Sequence, residues 1–202
     1  MLTWTLTLVT ALAVGQSAQA PTEPTIQKLF EAGRYAMLLE RVAAFEAPGP
    51  EALYLAGHAA RRLSPPDEEQ ARNWFARLGG DETDYWTFIG RSANATTGEE
   101  AAAERLALAR QAVQLSPEAF FAQYHLGFVL AESKAYAEAA AVLDKAVTID
   151  PTFAYASYYA GFSHYQSKRV DRMANHFERF LKLAPEAPER PAIQALMRSI
   201  RR

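Results

Sequence analysis

No stretch of the chain alternates apolar and polar residues at period two over a useful length. Ala, Leu, Glu and Arg instead fill long windows in which apolar residues recur at i, i+3 and i+4, the spacing that gathers them on one face of a helix. The pattern predicts an all-α chain, and its breaks divide the chain into helix pairs. Thr25 to Glu31, a turn at Gly33-Arg34-Tyr35 and Ala36 to Phe45 make the first pair. Glu51 to Leu63 and Glu68 to Leu78 make the second, with Ser64-Pro65-Pro66-Asp67 between them and Gly79-Gly80 as terminator. Trp86 to Asn94 and Glu99 to Leu115 make the third, around a Thr96-Thr97-Gly98 break in which Thr97 and Glu100 suit a capping box.

Two further pairs are set by a repeat. Pro117, Pro151 and Pro185 are spaced 34 residues apart, and Gly127 and Gly161 keep the same interval. In that register Ala122 meets Ala156, Tyr124 meets Tyr158, Phe128 meets Phe162, Ser133-Lys134 meets Ser167-Lys168 and Ala140 meets Ala174. Such a period marks stacked supersecondary units, none of which buries its apolar face alone. A glycine inside a helix costs about 1 kcal/mol against Ala, so Gly57, Gly127 and Gly161 are expected where a neighbouring helix approaches closely. Ser116-Pro117 and Asp150-Pro151 each place a capping side chain before a proline, and each is expected to open a helix. Past Pro185, Ala187-Pro188-Glu189-Arg190-Pro191 introduces a last helix, Ala192 to Arg201, with Arg198, Arg201 and Arg202 suited to its C-terminal dipole.

With Leu126-Gly127, Leu130, Ala139, Leu143, Ala146 and Pro151 in one unit, and Ala160-Gly161, His164, Met173, Phe177 and Pro185 in the next, the segment resembles the tetratricopeptide repeat. Gln123 and Ser157 stand where that family has Trp, and Phe180 where it prefers a small residue. The resemblance implies a right-handed α-solenoid of about five helical hairpins plus a C-terminal capping helix. The units fall at 21–49, 50–84, 85–116, 117–150 and 151–184, with the cap at 185–202. It also implies that the first helices of successive units line a concave surface that holds a protein or peptide. Carried over residue by residue, the contact positions are Phe121, Tyr124, His125, Phe128, Tyr155, Tyr158, Tyr159, Phe162 and Tyr165, with Glu51, Tyr54, His58, Arg61, Arg62, Arg91 and Asn94 upstream. A Tyr/Phe stripe at helical spacing is also what a packed core looks like. That reading applies with most force to Phe121, Phe128 and Phe162, whereas the hydroxyls of Tyr155, Tyr158 and Tyr165 need water or a partner.

Leu2 to Val14 is an uncharged, apolar-rich run that ends in Ala18-Gln19-Ala20, which fits the small-x-small rule for signal-peptide cleavage. Residues 1–20 are therefore expected to be a signal peptide cut after Ala20, leaving a periplasmic or secreted chain; retention as a membrane anchor and an ordinary buried helix are the alternatives. The chain has no Cys, which excludes a disulfide framework and a lipid-attachment cysteine, so no stable membrane insertion of the mature chain is expected. A net charge of −2 lacks the basic footprint of nucleic-acid binding.

Little in the chain points to chemistry. His58, His125, His164 and His176 show no H-x3-H spacing, and without Cys a zinc site would need carboxylates from scattered helices, so no metal site is expected. No phosphate loop, G-x-S-x-G elbow or H-E-x-x-H motif occurs, and no cofactor is called for. The expectation is a non-enzymatic exported adaptor for a protein segment, placed in cell-envelope assembly; the alternative is a carbohydrate-binding accessory module whose rings stack on sugars.

Overall fold

The computed structural model describes residues 23–95 and 99–200. The expected signal segment 1–20, Thr97 of the capping box, Arg201 and Arg202 lie outside the described residues. Among the described residues the chain is all helical: α1 (Ile26–Glu31), α2 (Tyr35–Ala43), α3 (Pro50–Arg61), α4 (Glu68–Ala76), α5 (Tyr85–Asn94), α6 (Glu99–Leu115), α7 (Phe120–Glu132), α8 (Tyr136–Ile149), α9 (Ala154–Gln166), α10 (Val170–Leu183) and α11 (Arg190–Ile200). Successive helices pack as antiparallel hairpins that stack on one another in chain order, a helical solenoid closed by α11 against α10.

The glycines behave as their helix-interior position requires. A Cβ on Gly161 would lie 2.7 Å from Phe177 of the second helix of its own hairpin. Gly57 and Gly127 face Phe75 and Leu143 in the same way. Each glycine thus lets the two helices of a hairpin approach closely.

Three hairpins turn by one mechanism. After α1, α7 and α9 the residue past the cap is left-handed: Gly33 (φ 71°), Lys134 (φ 61°) and Lys168 (φ 59°). The following amides return to the helix they leave, Arg34 to the Leu29 carbonyl, Ala135 to Leu130 and Arg169 to His164, each at 2.9 Å. This is the Schellman closure, for which glycine is the unstrained choice. Two of the three turns force it on a lysine.

The helix starts differ from the sequence reading. Pro117 and Pro151 do not open helices; α7 begins at Phe120 and α9 at Ala154. Asp150 spends its carboxylate locally, accepting from the Thr152 amide at 2.8 Å and the Thr152 hydroxyl at 2.7 Å, which makes a turn before the helix. The N-terminus of α9 is capped from the far end of the chain. The Glu31 carboxylate, 2% exposed, accepts from the Ala154 amide at 2.9 Å, from Gln27 at 2.9 Å and from Lys28 at 2.5 Å.

That cap belongs to a wider closure. Gln27 donates to the Thr152 carbonyl at 3.3 Å, Lys28 to the Leu183 carbonyl at 3.3 Å, and Arg34 pairs with Glu186 at 2.7 Å. A Cβ on Gly33 would lie 2.6 Å from Pro188. The first hairpin therefore docks on the last, and one apolar core runs without interruption from Leu29 to Ala160.

Glu31→Ala strips the buried Ala154 amide of its acceptor and is expected to lower the unfolding free energy by about 2 kcal/mol in urea titrations; an unchanged value would show that the cap adds no net stability. Lys168→Gly relieves the left-handed strain and is expected to raise thermal stability by about 0.5–1 kcal/mol, net of the freedom glycine adds to the unfolded chain.

Candidate functional site

The closure decides what happens to the aromatic inner wall. Tyr54 on α3 reaches past its neighbouring hairpin to α7, where its hydroxyl meets His125 Nδ1 at 3.1 Å and its ring lies 5.4 Å from Phe121 and 6.3 Å from Tyr124. His125 Nε2 is 2.9 Å from Ser92 Oγ, so both ring nitrogens are occupied. Arg62, just past α3, sets its guanidinium 4.8 Å from the centroids of both Phe30 and Tyr155 and donates to the Tyr159 hydroxyl at 2.9 Å. Tyr155 in turn donates to Glu189 at 2.8 Å. The inner faces of α1, α3, α7 and α9 meet through these side chains.

Several expected contact residues are consequently not open to a ligand. Tyr54, Tyr124, His125 and Tyr155 are buried, as is Phe121. These positions form the core of the molecule, because the superhelix winds tightly enough for their large rings to touch across it and shed water. Phe128, Tyr158, Tyr159, Phe162, Arg61 and Asn94 are half-buried; Tyr165 and Arg91 are exposed. Arg61 is tied to the Ala93 carbonyl at 2.9 Å and to Glu68 at 3.1 Å. Arg91 and Asn94 stand apart from the rest, lining a cleft of about 510 Å³ between α4 and α5 with Phe75 and Gly90.

What remains open is a strip on α7 and α9. The Phe128 ring lies 5.1 Å from Tyr159 and 5.3 Å from His58. Tyr158, Phe162 and Tyr165 follow along α9 at i, i+4 and i+7, with Phe162 against Tyr136 at 5.8 Å and Tyr165 39% exposed at the helix end. Arg62 supplies the adjoining positive charge. Burial opposes that charge, but the facing hydroxyls of Tyr159, Tyr155 and Tyr124 outweigh it and raise the guanidinium's pKa further. Tyr159 is pushed up to about 12, chiefly by burial, and stays a neutral donor and acceptor.

Burial has the opposite sense for the inner histidines. It holds His58 well below its ordinary value and, with Arg105 and Arg61 nearby, takes His125 down to about 3. Both are neutral in the folded protein at neutral pH.

A second cluster escaped the sequence reading because three helices supply one residue each. Asp144 on α8 receives Nε2 of His164 on α9 at 3.0 Å and Nε2 of His176 on α10 at 2.9 Å, both on the same oxygen. Arg172 takes the other oxygen at 3.1 Å. The imidazoles stack at 5.3 Å and 14°. Burial alone would raise Asp144, but the hydrogen bonds from His176 and His164 prevail and hold its carboxyl at about 2. The scattered carboxylate that a zinc site needs is therefore present.

Among the described helices none is long and apolar enough to cross a membrane. No protein-family model matches the chain, and no curated protein aligns with it. Solved structures similar to it include YrrB, described as a TPR protein with an unusual peptide-binding site, at 19% identity over 80% of this chain and 86% of that one, TM-score 0.47. MamA is similar at 18% identity over 75% and 85%, TM-score 0.47, and a MamA RS-1 double mutant at 22% identity over 79% and 95%, TM-score 0.46.

His125 gives a pH test. Between pH 6.5 and 3 the unfolded chain binds a proton that the folded chain refuses, so stability is complete above 6.5 and falls as pH drops, by at most about 1.4 kcal/mol per unit for each such histidine. Urea unfolding from pH 7 to 4.5 should show this decline, and His125→Gln, though less stable at pH 7, should decline less steeply by close to one proton.

Proposed function

We propose that this protein is a non-enzymatic helical-repeat scaffold that holds a segment of another protein along the α7–α9 strip. The observation that carries the reading is the row of half-open rings, Phe128, Tyr159, Phe162 and Tyr165, beside the Arg62 guanidinium, left over after the rest of the inner wall has closed. Tyrosine and phenylalanine offer large contact area with little rotamer entropy to lose. The wall upstream of the strip is spent on packing, so the recognised segment is short and sits toward the C-terminal hairpins. The apolar run before Ala20 supports export to a periplasm or the exterior, with a partner in the cell envelope. A sugar-stacking role finds less support, since Trp74 and Trp86 are buried at 9% and 7% exposure.

Capture from envelope extract with the wild type, a Phe162→Ala/Tyr165→Ala double variant and Met37→Ala, an exposed change on α2, tests this. The proposal expects a partner enriched equally by wild type and Met37→Ala and reduced about tenfold by the double variant, the loss expected when two contact residues go. Equal recovery by all three, with matched melting curves, would falsify the strip as the binding face.

A further inference from the structure

We propose that Asp144, His164 and His176 form a binding site for one divalent late transition-metal ion of the zinc type, on the side of the C-terminal hairpins formed by α8, α9 and α10. Two imidazole Nε2 atoms converge on one carboxylate oxygen, and the three ligand atoms lie within 4.8 Å of one another. A tetrahedral ion bound at about 2.0–2.2 Å from each atom holds its ligands about 3.3–3.6 Å apart. The ligand atoms must close by up to about 1.3 Å to chelate an ion. His176 and Asp144 keep 16% and 27% side-chain exposure and are free to make that movement, while His164, fully buried, holds the fixed corner.

Two features favour an ion over a purely structural bridge. The donor set is two nitrogens and one oxygen, which suits zinc, copper, nickel and cobalt and not calcium or magnesium. Arg172 bonds the other Asp144 oxygen, orienting the carboxylate and leaving Oδ1 to the metal, and its side chain is 65% exposed and able to move aside. One feature opposes the ion: Nδ1 of His164 is buried without a hydrogen-bond partner among the described residues, and a metal on Nε2 would move the ring proton to that nitrogen, where no acceptor meets it. The same orphan nitrogen limits the affinity. A metal-bound histidine normally donates its second N–H, and loss of such a bond costs about ten- to a hundredfold; from the roughly 50 nM of weaker structural zinc sites this leaves a constant on the order of 1 µM. With three protein ligands and an exposed edge, the remaining position is left to water or to a donor from a bound protein.

The test uses the untagged full chain after chelator treatment, titrated with Zn²⁺ by calorimetry and with Co²⁺ by visible absorption. The proposal expects one ion per chain with a dissociation constant on the order of 1–10 µM, a tetrahedral-type Co²⁺ band and a rise of several degrees in melting temperature on saturation. His176→Ala and Asp144→Asn should each weaken binding at least tenfold. His176→Gln, with a side chain of similar size at this partly open position, should do the same while keeping the metal-free melting temperature. Absence of saturable binding up to about 100 µM, ten times the weakest constant expected, overturns the proposal and leaves the cluster a hydrogen-bonded bridge between helices. Undiminished affinity in all three variants also overturns it, since the ion is then held elsewhere.

Discussion

A buried carboxylate on the first helix and a guanidinium at the end of the third tie the beginning of this repeat array to its end. Glu31 reaches the amide that starts α9, and Arg62 lies between a ring of α1 and a ring of α9 while bonding the Tyr159 hydroxyl. Removing a charge from water costs several kcal/mol unless its hydrogen bonds are replaced. Both groups are well supplied: Glu31 by a backbone amide, Gln27 and Lys28, Arg62 by aromatic faces and phenolic oxygens. Their cost is offset only when the first and last hairpins are in contact, so these two residues favour the closed arrangement over an open one.

That closure changes how the repeat architecture works. In an ordinary solenoid each unit touches only its neighbours, and stability is close to a sum of nearest-neighbour terms. Here α1 contacts the start of α9 and the end of α10 as well as α2 and α3. Opening the terminal hairpin exposes Phe30, Tyr155 and Arg62 together, which couples distant units into one cooperative structure. The surface that an open repeat presents to a ligand is consumed by this contact, and the available rings are displaced to the edge formed by α7 and α9. The Asp144 cluster belongs to α8, α9 and α10 and takes its residues from the same C-terminal hairpins, with α9 contributing to both.

Much of the local design could be read from the residues. Gly57, Gly127 and Gly161 are expected at close helix approaches, and the structure supplies the facing side chains, Phe75, Leu143 and Phe177, because only glycine leaves them room. Helix existence and order followed from apolar periodicity, which acts within a few residues. The starts of α7 and α9 did not follow. Asp150 had two outlets, a helix cap and a turn, and took the turn, while Glu31 supplies the acceptor to the amide at the helix start.

By itself the chain of residues determined the repeat, the hairpins and which side chains share a helix face, because each depends on spacing along the backbone. Only the tertiary structure decided that Tyr54, Tyr124, His125 and Tyr155 are core and that His164 and His176 converge on Asp144. Those outcomes depend on the rise and rotation from one hairpin to the next, which the side-chain volumes at every interface set jointly. A small change in that rotation would open the wall or part the imidazoles without altering any local pattern.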